Sequence, residues 1–224
     1  TFSLMIPNFN GGSSGAIGDN KSALEKVDPE FRQYIANVDS YFGNQPFTSG
    51  PVYAGALVVF LFVLGLFTVK SNLRWWLLAA TVFSILLGWG KNFMPLTEFF
   101  LEHFPGYNKF RAVSMILVIA ELCIPLLAIL AVKEIYTQPQ ILKEKRNQFY
   151  IAFGLTGGLC LLFYMLPNLF IDFYKVGEYE DITAQLKKSQ LSQDQINVFL
   201  AGVEEARRSI FTADALRSFF FILL

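Results

Sequence analysis

Long uncharged apolar runs alternate along this chain with shorter connections that are charged or rich in aromatics. Pro51 to Val69 carries no charge and matches the length of one membrane helix. Trp75 to Gly90 is also uncharged and, with Leu73 and Arg74 at its start, predicts a second span. Ala112 to Val132 predicts a third, interrupted only by Glu121. Phe149 to Ile171 predicts a fourth, with Gly154, Gly157, Gly158 and Pro167 inside it, and Ala215 begins a fifth. These runs are too long for strands and lack period-two alternation. In hydrocarbon the backbone must also satisfy itself, as a helix or a closed barrel does. The expected fold class is therefore all-α, a polytopic transmembrane helical bundle with extracytoplasmic loops and amphipathic helices. Its expected parts are an extracytoplasmic loop over 1–50, four spans over 51–171, an extracytoplasmic amphipathic segment over 172–214 and the start of a truncated fifth span over 215–224.

Basic residues in short loops set the expected orientation. Lys70 and Arg74 lie in one such loop, and Lys133, Lys143, Lys145 and Arg146 in another, so both are expected on the cytoplasmic side. Residues 1–50, 91–111 and 172–214 then face outward. Among the outward segments, Asp28-Pro29-Glu30 reads as a helix start, with Phe31, Tyr34, Ile35 and Val38 continuing on one face. Ser192 and Gln195 have the spacing of a capping box. Ile196, Phe199, Leu200, Val203 and Ile210 follow at helical spacing, with Glu204, Glu205, Arg207 and Arg208 elsewhere on the helix. That helix either packs on the outer face of the bundle or forms a lid at the membrane surface. An outer interfacial segment is expected at about 92–108, with a short interfacial or re-entrant helix from about Leu96 to His103 between Pro95 and Pro105-Gly106.

Composition sharpens this picture. The chain is 54% hydrophobic and 16% charged, with a mean hydropathy of +0.43, against about 25% charged in an average soluble domain. Eighteen basic residues balance eighteen acidic ones, which argues against a nucleic-acid partner. Cys123 and Cys160 lie in apolar runs and read as packing residues. His103, the only histidine, reads as a surface or packing residue. No cofactor motif is evident, since the chain has no phosphate-binding glycine loop, zinc spacing or nucleophile elbow. The chain starts at Thr1 and ends within an apolar run at Leu224, and is read as an interior piece of a longer protein.

Two features carry candidate chemistry. Glu121 lies within the third apolar run, where an ionised group costs at least about 2.5 kcal/mol against lipid. It reads as a proton or substrate contact, or as a protonated or hydrogen-bonded glutamate bridging helices. The second feature is the group Lys91, Asn108, Lys109 and Arg111, expected together at headgroup depth on the outer face. Arginine binds phosphate through two N–H groups and lysine as a point charge. Snorkelling cations at helix ends are the alternative. Arg217 lies at the same expected boundary and could join them.

Ser49-Gly50-Pro51-Val52-Tyr53, Trp89-Gly90-Lys91-Asn92-Phe93-Met94-Pro95 and Phe104-Pro105-Gly106-Tyr107-Asn108-Lys109-Phe110-Arg111 resemble the Bacteroidetes branch of the bacterial membrane protein YfhO family, as does the opening Ile6-Pro7-Asn8-Phe9-Asn10-Gly11. The likeness runs over most of the chain. That family is similar to the C-type glycosyltransferases, which take a sugar from a polyprenyl-phosphate carrier on the outer side of the membrane. The resemblance implies a place in the bacterial cytoplasmic (inner) membrane, membrane lipid and a polyprenyl-phosphate sugar donor as partners, and a glycan or envelope-polymer acceptor. It implies a lipid-phosphate contact at Arg111, with Lys91, Lys109 and Asn108 as further candidates, and assigns Glu121 no role. The catalytic base, and a possible divalent metal, are expected upstream of Thr1. Two alternatives stand: a lipid or polymer transporter or flippase component, and a non-catalytic membrane scaffold.

Overall fold

A computed structural model describes residues 1–43, 52–109 and 113–224, with the side chains of 108 and 113 left aside. Twelve α-helices lie among the described residues: α1 Lys21–Leu24, α2 Arg32–Ile35, α3 Ala56–Thr68, α4 Leu73–Gly88, α5 Met94–His103, α6 Val118–Thr137, α7 Ile141–Glu144, α8 Arg146–Phe153, α9 Leu159–Met165, α10 Pro167–Phe170, α11 Glu178–Lys188 and α12 Gln193–Leu223. No strand forms among these residues, only a single antiparallel bridge between Ala16 and Asp39. The chain divides into two compact units. The first comprises residues 1, 3–5 and 52–157, the second residues 2, 6–51 and 158–224.

Among the described residues, two helices are long and apolar enough to cross a membrane. They are Ser114–Thr137, in which a 3-10 turn leads into α6, and Arg146–Met165, in which α8 and α9 join through a π-helical turn at Gly154–Gly158. A third qualifies if α4 and the Gly90–His103 segment, bent by 107°, count as one broken span.

Several expected boundaries move, each for a local reason. The run from Pro51 yields only the 13 residues of α3, about 20 Å of helix against a hydrocarbon core of about 30 Å. Leu4 accounts for this, because its carbonyl accepts from the amides of Ala54 and Gly55 and holds them off the helix. The second run stops at Gly88. The third continues past Val132 to Thr137. The fourth ends at Met165 instead of Ile171, because Pro167 has no N–H to continue a helix and opens α10 instead. The segments expected over 172–214 and 215–224 share one helix, since α12 runs unbroken for 31 residues from its capping box at Ser192 and Gln195. Asp28 caps a turn rather than a helix: its Oδ1 accepts from the Glu30 amide, and α2 starts only at Arg32. Phe31 and Ile35 are buried, whereas Tyr34 is exposed.

In the first unit α6 is the centre, flanked by α3 and α4. Ala120, Cys123, Ile124, Leu127 and Ala131 of α6 are buried with Phe62 and Leu77. Gly65 sets the closeness of α3, because a Cβ there would lie 3.0 Å from Leu127 Cγ and 3.1 Å from its carbonyl oxygen. Small residues that let helix backbones approach are what helix packing in lipid uses, since apolar contact is not in itself favoured over lipid there.

In the second unit α12 is the spine. Phe31 and Ile35 pack beside Phe199, Val203 and Ile210 in one cluster. Phe9, Phe163 and Phe211 meet edge to face, with centroids 5.4 to 6.0 Å apart. The N-terminal segment folds back tightly: Gly11 has φ +87°, and a Cβ there would sit 1.9 Å from the Ser40 carbonyl oxygen.

Gly65→Val is expected to destabilise the detergent-solubilised chain by about 1–3 kcal/mol through overpacking of α3 on α6. Gly154→Ala, whose added Cβ meets nothing within 4 Å, is expected to leave the thermal midpoint unchanged or raised.

Candidate functional site

The expected outer rim is built around α5. Met94–His103 forms a helix two residues longer than expected at its start, with Pro95 in its first turn, where the missing N–H costs nothing. A sharp turn precedes it. Gly90 takes φ +48°, and the buried Thr97 hydroxyl donates to the Gly90 carbonyl at 2.8 Å, fixing the bend from within. Phe100 packs on Phe83 of α4 at 5.8 Å and stacks on Phe104 at 4.6 Å, while Tyr107 turns back to it at 5.5 Å. Phe93, Met94, Phe99, Leu101 and Phe104 remain exposed, and Glu98 and Glu102 occupy another arc of the helix. His103 is exposed, stacks on Phe99 at 4.8 Å and has Nδ1 3.0 Å from the Phe99 carbonyl oxygen. That is a packing arrangement.

Lys91 is exposed in the Gly90–Phe93 turn before α5. Lys109 is exposed at the end of the Tyr107–Lys109 turn, which also contains the backbone of Asn108. Arg111 lies outside the described residues. The lysines of the rim thus occur before and after α5. The return of the chain is nevertheless clear. Gly88, at the end of α4, packs so closely on Leu117 that a Cβ would meet its side chain at 3.0 Å. The start of the Ser114–Thr137 helix therefore shares one end of the unit with the α4–α5 bend.

Glu121 lies seven residues from Ser114, about 10 Å along a helix of about 36 Å. It is nearer that end than the middle. Its side chain is exposed and makes no hydrogen bond or ion pair among the described residues, so no bridging contact between helices is present there.

The second unit holds a polar network centred on Arg207, a residue expected away from the apolar stripe of its helix. Arg207 is 0% exposed. A guanidinium has five N–H donors, and here all five are matched. Nη1 and Nη2 donate to Glu178 Oε2 and Oε1, each at 2.8 Å. Nη1 also donates to the Phe173 carbonyl at 2.8 Å, while Nη2 and Nε donate to the Asp39 carbonyl at 2.7 and 3.2 Å. The rings of Phe42 and Tyr174 lie 5.9 and 5.8 Å from its Cζ. Lys175 reinforces the arrangement by donating Nζ to Asp39 Oδ2 and its amide to Glu178 Oε2, both at 2.8 Å. Burial pushes the Glu178 carboxyl pKa up, but hydrogen bonds from Arg207 and the Lys175 amide, with the charge of Arg207, outweigh it and hold the group below its ordinary value. Burial also raises the Tyr174 phenol, which donates to the Leu200 carbonyl at 2.6 Å.

A second buried acid lies further along α12. Asp214, 3% exposed, accepts from Asn8 Nδ2 at 2.5 Å and from Arg217 Nη1 at 2.8 Å. Arg217 is thus engaged with a carboxylate in the second unit. Among the described residues no cluster of three or more His, Cys, Asp or Glu side chains could hold a metal ion.

The spacing did carry a signal for both groups. Arg207 follows Val203 by four residues and precedes Ile210 by three, and Asp214 follows Ile210 by four. Both therefore lie on the apolar stripe of α12.

No family model, no curated protein and no solved structure matches this chain.

Removing one member of a buried, hydrogen-bonded ion pair costs about 3–5 kcal/mol, so Arg207→Met is expected to lower the thermal midpoint more than any substitution of an exposed cation. Glu178 has a lowered native pKa, so its stabilisation is complete above the ordinary glutamate value. It is lost as pH falls through the native one. Thermal unfolding of the wild type and Glu178→Gln across the acid range should therefore converge on acidification; parallel curves would exclude this linkage.

Proposed function

We propose that the chain is part of an integral membrane protein, similar to the YfhO family, that transfers a sugar from a polyprenyl-phosphate carrier at the outer surface of the bacterial cytoplasmic membrane. One observation supports this reading most. The chain turns by 107° after α4 into an aromatic helix with exposed Phe side chains and an exposed lysine before and after it. Aromatic rings favour headgroup depth, and a lipid phosphate arriving there would meet Lys91 and Lys109, while the resemblance adds Asn108 and Arg111 as further contacts.

In this reading an acceptor hydroxyl attacks the anomeric carbon of the donor. The new glycosidic C–O bond forms as the bond to the carrier phosphate oxygen breaks, and the hydroxyl proton passes to a base not assigned among these residues. The cations stabilise the charge that collects on the departing phosphate. Residues 1–50 and 172–214 face the outside, and the acceptor is a glycan or envelope polymer.

A transporter is a second reading, supported by the π-helical turn at Gly154–Gly158 within an apolar helix and by the exposed Glu121. Such turns are frequent at functional sites.

Substitution in the intact gene of the host, with envelope glycan measured by mass spectrometry, separates the two. Under the transferase reading, Arg111→Ala lowers sugar transfer about a hundredfold and Lys91→Ala lowers it less, while Glu121→Gln has little effect. Under the transporter reading Glu121→Gln dominates. If all three leave the glycan unchanged, both readings fall and a scaffold remains.

A further inference from the structure

The opposite end of the first unit carries a different concentration of charge. The α3–α4 connection and the first turn of α4 supply Lys70 and Arg74, and the stretch from the end of α6 to the start of α8 supplies Lys133, Lys143, Lys145 and Arg146. These two stretches are about 60 residues apart in sequence, yet they touch. Lys70 Nζ donates to Gln138 Oε1 at 3.1 Å, and Lys145 Nζ donates to the Phe67 carbonyl. Arg74 Nη1 donates to the Val69 carbonyl at 2.6 Å, and Arg146 to the Tyr150 hydroxyl at 3.1 Å. Every partner in these bonds is a neutral oxygen. Among the described residues none of the six cations is paired with a carboxylate, whereas Lys175, Arg207, Arg208 and Arg217 of the second unit each are. Only Glu134 and Glu144 oppose the six locally.

The same end presents aromatics that no protein covers. Trp76 is 74% and Tyr136 86% exposed. Trp75 and Tyr150 are exposed as well, with Arg74 and Arg146 lying 5.2 and 5.4 Å from their respective ring centroids. Exposed indole and phenol rings beside unpaired cations, at the ends of apolar helices, match a bilayer interface whose headgroups are anionic.

We infer that this end of the unit, carrying Lys70, Arg74, Lys133, Lys143, Lys145 and Arg146, is a binding surface for acidic phospholipid. The charge complementarity selects the occupant. A zwitterionic headgroup would leave a net charge of four unmatched, while acidic headgroups match it and leave the rings at their usual depth. This surface is independent of the sugar-transfer reading, which concerns the α4–α5 end.

Native mass spectrometry of the full chain, released from micelles holding equal phosphatidylglycerol and phosphatidylcholine, tests it. The wild type should retain phosphatidylglycerol in preference. Lys143→Gln and Arg146→Gln should each weaken that preference about fivefold, the loss expected for one cation at a charged surface. Lys187→Gln on α11 should not change it. Equal retention of the two lipids, or a preference untouched by Lys143→Gln and Arg146→Gln, overturns the inference. If those variants lose helix by circular dichroism, Lys133→Gln takes their place; its side chain is exposed and makes no hydrogen bond among the described residues. Added salt then gives a second reading on the wild type: a preference that does not fall with ionic strength overturns the inference equally.

Discussion

A single guanidinium holds the second unit together. Arg207 joins three stretches, the first far from the other two in sequence: the Asp39 carbonyl from the N-terminal segment, the Phe173 carbonyl from the turn before α11, and the Glu178 carboxylate at the start of α11 itself. Burying a charge without partners is so costly that the group would sooner leave the core. The arrangement is therefore close to all-or-none: the cation can stay inside only if all three stretches are in place. Apolar contacts around it, such as Phe31 on Phe199 and Phe9 on Phe211, add cohesion without direction. The fork of donors adds register, because only one placement of Asp39, Phe173 and Glu178 matches its geometry.

The first unit follows the opposite rule. Its interior between α3 and α6 includes Gly65, Leu127 and Ala131, and two of its buried hydroxyls, those of Thr68 and Thr81, return to carbonyls four residues earlier in their own helices. Its charges are kept at the ends, where they meet carbonyls or solvent. One unit uses a buried charge to fix its fold, and the other excludes charge from its core. That difference explains why α12, although long enough, is not among the helices fit to cross a membrane. Its buried stripe includes Arg207 and Asp214, and both are matched by partners from its own unit rather than by another membrane helix.

The same contrast explains what could be read from sequence. Helical class and the approximate position of each apolar run were legible, because composition and the absence of alternation are local properties. So was the capping box at Ser192, which depends on two residues three apart. Helix ends were less legible. Leu4 clips the start of α3 from 50 residues away, and Thr97 sets the bend by reaching back to Gly90. Arg207 was misplaced because a charged residue is ordinarily assigned to solvent, even when its spacing puts it on an apolar stripe. Only Glu178, Asp39 and Phe173 make that position tolerable, and no spacing rule connects them. Of the expected rim, the lysines before and after α5 could be located, while Arg111 falls outside the described residues.

Glu121 shows how position along a helix changes the chemistry a residue can perform. From sequence it sits within an uncharged run and so suggests a proton or substrate contact at the membrane midplane. In the structure the helix extends to Thr137, which moves the centre of the span away from Glu121. The residue then lies about 10 Å from the Ser114 end, at a depth from which a side chain can be drawn toward water. Its neighbours on the exposed side, Val118 and Leu122, are apolar, so a carboxylate here gains by turning toward the end where the α4–α5 bend also lies. The cost of ionising it falls with every ångström in that direction.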